Sequence, residues 1–258
     1  MPSSACPFVW YELMTTDPAA ATAFYRDVVG WSAADAGMPG MAYTLLSAGG
    51  AEVAGLMALP DEARAAGSPP CWTGYIGVPD VDAAAARVQA AGGALHHPPE
   101  DIPGVGRFAV VADPQGAVFC LFAGLPGDAP PQLAPDAPGT VGWHELMAGD
   151  RAGAWPFYAA QFGWTQDEAI DMGPMGIYQL FRTGGEMATG GMMSKPPEVP
   201  QACWIYYFNV PALDATLARV RAGGGQVLSG PMEVPGGSWV AQCLDPQGAA
   251  FALVAPQR

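Results

Sequence analysis

The sequence predicts an α+β protein of four βαβββ units forming two tandem domains, and three observations carry that expectation: a duplication, a weaker repeat within each copy, and short apolar runs broken by glycine and proline. The duplication is explicit. VWYELMTTDPAAATAFYRDVVGW from Val9 aligns with VGWHELMAGDRAGAWPFYAAQFGW from Val141, so that Glu12 meets Glu145 and Asp17 meets Asp150, an offset of 145 − 12 = 133. CWTGYIGVP from Cys71 aligns with CWIYYFNVP from Cys203, and ADPQGA around Asp113 with LDPQGA around Asp245, both at an offset of 132 (203 − 71 and 245 − 113).

Within each copy, a first strand-like run ends at Asp17 or Asp150. Asp17 suits a helix N-cap and Pro18 the first helical position. A later run ends at Val78-Pro79-Asp80, again followed by a helix. Val81, Ala84, Ala85 and Val88 have the spacing of one buried helix face, and Gly92-Gly93 ends that helix; Leu213, Leu217, Val220 and Gly223-Gly224 repeat the arrangement. Short apolar runs at 43–47, 53–59, 108–111 and 118–123 read as strands, the last two joined by a tight Asp-Pro-Gln-Gly turn. Five prolines and no apolar periodicity between 123 and 139 predict an extended, solvated linker. The expected domains are therefore 1–122 and 140–258, joined by the linker 123–139.

Half of the 258 residues are apolar and 13% are charged, enough for two cores of ordinary size. A net charge of −14, with Lys195 the single lysine, leaves no basic patch for nucleic acid or for an anionic membrane surface. The first residues lack the basic start and apolar run of a signal peptide, so the expected location is cytoplasmic. Five cysteines without CxxC spacing argue against a disulfide framework or a structural zinc site and read as small buried hydrophobes.

A first strand, then Asp, a helix holding Phe-Tyr and ending at Gly-Trp, and a later Asp-Pro-x-Gly hairpin resemble the vicinal-oxygen-chelate (glyoxalase/bleomycin-resistance protein/extradiol dioxygenase) superfamily, in particular its tandem glyoxalase-like bacterial members. The resemblance spans essentially the whole chain. It implies that pairs of βαβββ units curl into half-open barrels whose concave faces hold a divalent metal or a small ligand. It also implies four metal-ligand positions per pair, which here carry Trp10 and Trp143, Met57 and Met192, Thr73 and Ile205, and Cys120 and Ala252. These are poor ligands for a hard divalent ion, so no metal and no other cofactor is expected.

Strand alternation places Phe8, Trp10, Glu12 and Met14 on one face, repeated by Trp143, Glu145 and Met147. A carboxylate between tryptophan and methionine is costly to bury unless paired, which makes Glu12 and Glu145 candidate acid/base residues, with a purely structural role as the alternative. Trp72, Tyr75, Trp204, Tyr207, Met57, Met192 and Cys120 suit the lining of a pocket for a flat apolar molecule, or else the core. Arg107, whose counterpart is Trp239, is a candidate anion contact. His144 falls on the face opposite Glu145, and His96-His97 fall in an expected loop. Two functions compete: a metal-free protein binding a small organic molecule, which the missing ligands favour, and a lyase, isomerase or detoxification enzyme in which Glu12 or Glu145 moves a proton. An acidic partner-binding protein is a third. The internal duplication predicts a monomer.

Overall fold

The computed structural model describes residues 5–38, 40–126 and 133–258; the stretch 127–132 of the expected linker lies outside the described residues. The first copy runs β1 (Phe8–Thr15), α1 (Pro18–Val28), β2 (Ser32–Asp35), β3 (Tyr43–Ala48), β4 (Ala51–Ala58), a short α2 (Asp61–Ala65), β5 (Cys71–Gly77), α3 (Val81–Ala90), β6 (Ala94–Ile102), β7 (Gly106–Ala112) and β8 (Val118–Gly124). The second runs β9 (Val141–Ala148), α4 (Arg151–Phe162), β10 (Thr165–Asp171), β11 (Ile177–Arg182), β12 (Gly190–Ser194), β13 (Cys203–Asn209), α5 (Leu213–Ala222), β14 (Gln226–Glu233), β15 (Trp239–Leu244) and β16 (Ala250–Ala255). They form two eight-stranded mixed sheets with the same order written twice, β2-β3-β4-β1-β5-β8-β7-β6 and β10-β11-β12-β9-β13-β16-β15-β14. The four βαβββ units expected from the repeats are present.

Packing divides the chain into two compact units, each drawing on both copies. One collects the described residues of 10–72, 129–143 and 205–258, the other those of 1–9, 73–128 and 144–204. We call them the Asp245 unit and the Asp113 unit after the buried carboxylate at the centre of each.

In the Asp245 unit, Asp17 accepts a hydrogen bond from the Ala20 amide and starts α1, with Pro18 at its first turn. The helix buries Ala21, Phe24, Tyr25 and Val28. Tyr25 lies among Trp31, Trp72, Phe208 and Phe251 at centroid distances of 5.2–6.3 Å. Its hydroxyl donates to Asp245 Oδ2 (3.1 Å) and accepts from the Trp72 indole N–H (2.8 Å). Asp245 Oδ1 accepts from the amides of Gln247 and Ala249, each at 2.9 Å, closing the Asp-Pro-Gln-Gly turn. Burial raises the Asp245 carboxyl above its ordinary value, against the lowering pull of those amides and of the Tyr25 hydroxyl.

The Asp113 unit repeats this arrangement. Asp150 accepts from the amides of Ala152 and Gly153 to cap α4, which ends at Gly163 in the left-handed conformation (φ 66°) that glycine adopts without strain. The Tyr158 hydroxyl donates to Asp113 Oδ2 (2.9 Å) and accepts from Trp204 Nε1 (3.2 Å), while Asp113 Oδ1 accepts from the amides of Gln115 and Ala117. Even the Gly-Trp tryptophans correspond. Trp31 donates to the Gly139 carbonyl in one unit and Trp164 to the Cys6 carbonyl in the other.

The described part of the linker is largely exposed but forms turns rather than an extended run. Residue 124 still belongs to β8; Pro135, Gly139 and Thr140 are tied to Asn209 and Trp31 of the Asp245 unit, and the Ala137 carbonyl accepts from the Thr140 hydroxyl. The proline-rich stretch offers carbonyls with no ladder partner, and turn geometry brings them to those donors.

Candidate functional site

The glutamates that the sequence singles out occupy equivalent positions, one in each unit. Glu12 on β1 is in register with Gly55 of β4, and Met14 with Met57; across β3, Tyr43 is opposite Met57. Partners in a ladder point to the same side, so Glu12, Met14, Met57 and Tyr43 share one face of the Asp245 unit. Glu145 on β9 is in register with Gly191 of β12, and Met147 with Met193, on a face of the Asp113 unit. Both glutamates are buried, at 8% and 6% exposure.

Each glutamate faces a glycine because a tyrosine lies across the strand there. A Cβ on Gly55 would sit 1.8 Å from the Tyr43 hydroxyl oxygen, and a Cβ on Gly191 would sit 2.1–2.4 Å from the ring and hydroxyl of Tyr178. The missing side chain is what lets the ring cross. In the Asp113 unit, the Tyr178 hydroxyl thereby reaches Glu145 Oε2 and donates to it at 2.9 Å. In the Asp245 unit, the Tyr43 hydroxyl accepts from the Trp10 indole N–H at 3.1 Å. Tyr43, Tyr178, Gly55 and Gly191 were not singled out in the sequence, because their offsets (178 − 43 = 135, 191 − 55 = 136) depart from the 133 and 132 of the flanking motifs. A tyrosine twelve or thirteen residues before a glycine in both copies was the available signal.

Several other residues expected at the site lie elsewhere. Trp72 and Trp204 belong to the buried tryptophan–tyrosine–aspartate clusters; each stands three residues before Tyr75 or Tyr207, an odd spacing that sends the two aromatics to opposite faces of a strand. Met192 is in register with Leu146 and fully buried, so Met193 takes the place assigned to it on the glutamate face. Arg107 is held by Asp82 of α3 through two hydrogen bonds and by Asp101 of β6, which raise its pKa further and leave it with carboxylate partners rather than a ligand anion. Phe8 packs with Trp164 and Trp204 and stacks on His144 at 4.3 Å. His144 is a core residue: its Nδ1 bonds the Thr189 carbonyl at 2.7 Å, and burial pushes its pKa down to about 4, so the ring is neutral near pH 7. Tyr75 shares a row with Cys120, and Tyr207 a row with Ala252 and Gln242, whose amide donates to the Tyr207 hydroxyl. Trp143 is half-buried.

The donor set does not fit a divalent metal. Among the described residues no group of three or more His, Cys, Asp or Glu side chains lies close enough to hold an ion. The positions implied by the resemblance are indole, thioether, hydroxyl, alkyl and thiol, with no carboxylate or imidazole among them. Cys203, at the start of β13, is a poor substitute ligand or nucleophile: burial first, and the charge of Glu145 second, push its thiol up to about 11 against the opposing effect of Lys195. A depression of about 320 Å³ in the Asp113 unit, lined by Cys6, Pro7, Gly77 and Phe122 among others, contains neither glutamate.

Two sheets of identical strand order, each with a buried glutamate on the same strand position, define a tandem vicinal-oxygen-chelate protein. The chain belongs to the Glyoxalase/Bleomycin resistance protein/Dioxygenase superfamily, whose family model matches residues 8–121 and 140–253. Among its relatives is CFP32 of Mycobacterium tuberculosis, a protein whose name places it provisionally among the glyoxylases, 35% identical over 250 residues covering 96% of this chain and 94% of that protein. DnrV of Streptomyces peucetius, named an anthracycline biosynthesis protein, is 32% identical over 257 residues, covering 95% and 91%. Of solved structures, the Mn(II)-bound glyoxalase from Novosphingobium aromaticivorans superposes with a TM-score of 0.67 at 18% identity, covering 98% of this chain and 82% of that one. An extradiol ring-cleaving dioxygenase from B. fuscum gives 0.64 at 16%, covering 98% and 74%. At these identities the structures share the fold alone. Among the described residues no helix is long and apolar enough to cross a membrane.

Proposed function

We propose that the protein binds a small, flat organic molecule on its glutamate faces without a metal, each carboxylate accepting a hydroxyl or amino proton of the ligand. The observation that carries this reading is the Tyr178 hydroxyl bonded to Glu145 across a glycine that makes room for the ring. A carboxylate has about four acceptor directions. Tyr178 takes one of them and fixes the orientation of the group. Met147 and Met193 beside Glu145, and Met14 and Met57 beside Glu12, offer polarisable apolar surface of the kind that adapts to ring systems. The relative named for anthracycline biosynthesis agrees with a flat aromatic ligand.

The same pair supports a second reading, in which Glu145 and Tyr178 move a proton on the bound molecule in an isomerase or lyase reaction. A phenol donating to a buried carboxylate is a proton relay in miniature.

The test is to screen phenols and aromatic acids for thermal stabilisation and then measure the hits against Glu12→Gln and Glu145→Gln. Glutamine keeps size and hydrogen bonding while removing the charge, so both variants should melt nearly as the wild type and bind less tightly. Variants that melt several degrees lower and still bind normally would assign the glutamates to the scaffold. Elemental analysis of protein purified without added metal should find no stoichiometric Zn, Ni, Fe or Mn; one transition metal per copy overturns the metal-free reading. Light scattering should return the mass of a monomer.

A further inference from the structure

Resting on that reading, we infer that Lys195 makes the Glu145 face selective for an aromatic carboxylate, a preference the Glu12 face lacks. The two faces end differently. Beyond β12, the Lys195 amide continues the ladder by donating to the Ala148 carbonyl; beyond β4, the Leu59 amide donates to the Thr15 carbonyl in the same way. Ala148 and Thr15 are 133 residues apart, as are Glu145 and Glu12, so Lys195 is the structural counterpart of Leu59. An ammonium in one unit replaces a buried aliphatic side chain in the other.

Alternation puts Gly191, Met193 and Lys195 on the same side of their strand, so the lysine closes the row that Glu145 begins. Four residues of strand separate Gly191 from Lys195, a span of about 13 Å between Cα atoms. That leaves the methionine pair, Met147 and Met193, as a floor between a carboxylate at one end and a cation at the other. The lysine is half-buried, and its ammonium donates to the Val199 carbonyl at 2.6 Å, which holds it in place. An ammonium has three donors, and Val199 takes one. The Cys203 thiol feels both Glu145 and Lys195, which places the two charges near the same strand start.

In a chain of net charge −14 an anion is repelled from most of the surface and needs a fixed cation to bind. Lys195 is that cation, and a ligand matching the row carries a carboxylate at the lysine end, fused or linked rings over the methionines, and a hydroxyl that donates to Glu145.

Calorimetry with two probes, 6-hydroxy-2-naphthoate and its uncharged amide, tests this. The wild type should bind the carboxylate about tenfold more tightly than the amide. Lys195→Met should erase that difference by weakening the carboxylate alone, and Lys195→Arg should keep it. Raising the salt should weaken the carboxylate and leave the amide unchanged. Lys195 is the single lysine of the chain, so reductive methylation read by mass spectrometry should show it protected by the naphthoate and not by the amide. Carboxylate binding unaffected by Lys195→Met, or both probes weakened equally, overturns the role of Lys195. In either case, amide binding that is lost in Glu145→Gln still supports the glutamate reading, whereas wild-type protein that binds neither probe overturns both.

Discussion

The buried clusters around Asp245 and Asp113 match bond for bond, tryptophan to tyrosine to aspartate to two turn amides, whereas the two glutamate faces have drifted apart. One row ends in Leu59, the other in Lys195. A buried polar network tolerates little change, because losing one member leaves the rest unsatisfied in a medium that cannot solvate them. A face that meets a ligand has no such constraint. The part of the duplication that stayed equal forms the buried centre of each unit, and the part that diverged is where we propose that binding differs.

The largest expected effect tests that equality. Asp113→Ala and Asp245→Ala each strand a tyrosine hydroxyl and two turn amides, at a cost of about 3–5 kcal/mol, lowering the melting temperature by roughly 10 °C. Thermal unfolding should give similar losses for both; a twofold difference would show that the clusters are not energetic equivalents.

His144 sharpens the contrast between units, since its counterpart in the first copy is Tyr11, which burial keeps protonated and neutral. With the imidazole pKa depressed to about 4 in the fold, the unfolded chain binds the extra proton first as pH drops below its ordinary 6.5. The stability contributed by His144 is therefore present above pH 6.5 and is lost as pH falls toward 4, by about 3 kcal/mol. Asp245, with its raised pKa, works in the opposite sense, contributing less as pH rises. Denaturant titrations of wild type and His144→Phe between pH 8 and 4 separate the two: the variant should lose the acid-side slope. Equal slopes would remove His144 from the account.

Smaller is the effect of Gly191→Ala, whose methyl collides with the Tyr178 ring. Displacing the ring should cost about 1–3 kcal/mol and weaken ligand binding, as Tyr178→Phe should. Gly55→Ala should behave alike in stability, because Tyr43 crosses there just as closely. Smallest of all is Arg107→Met: its carboxylate partners are solvent-exposed, so a thermal melt and the binding of any ligand should barely change.

The repeat, the helix caps and the turn motif were legible in the sequence because each is local. Asp17, Asp80 and Asp150 bond amides two or three residues away, and Asp-Pro-Gln-Gly closes on itself. That Glu12 shares a strand face with Met14, and Glu145 with Met147, was legible because alternation along one strand needs no partner strand. The same rule, applied across the three-residue spacing from Trp72 to Tyr75, would have divided those aromatics between two faces.

What the residues by themselves determined, then, was the duplication, the fold class and which strand carries each carboxylate, since periodicity and caps act over a few residues. Only the tertiary structure decided that Tyr25 reaches Asp245 across 220 residues, that Tyr178 crosses Gly191 to Glu145, and that Lys195 answers to Leu59. Those pairings depend on strand register and on chain-distant packing, and small changes of spacing between copies hide them from any one-dimensional alignment.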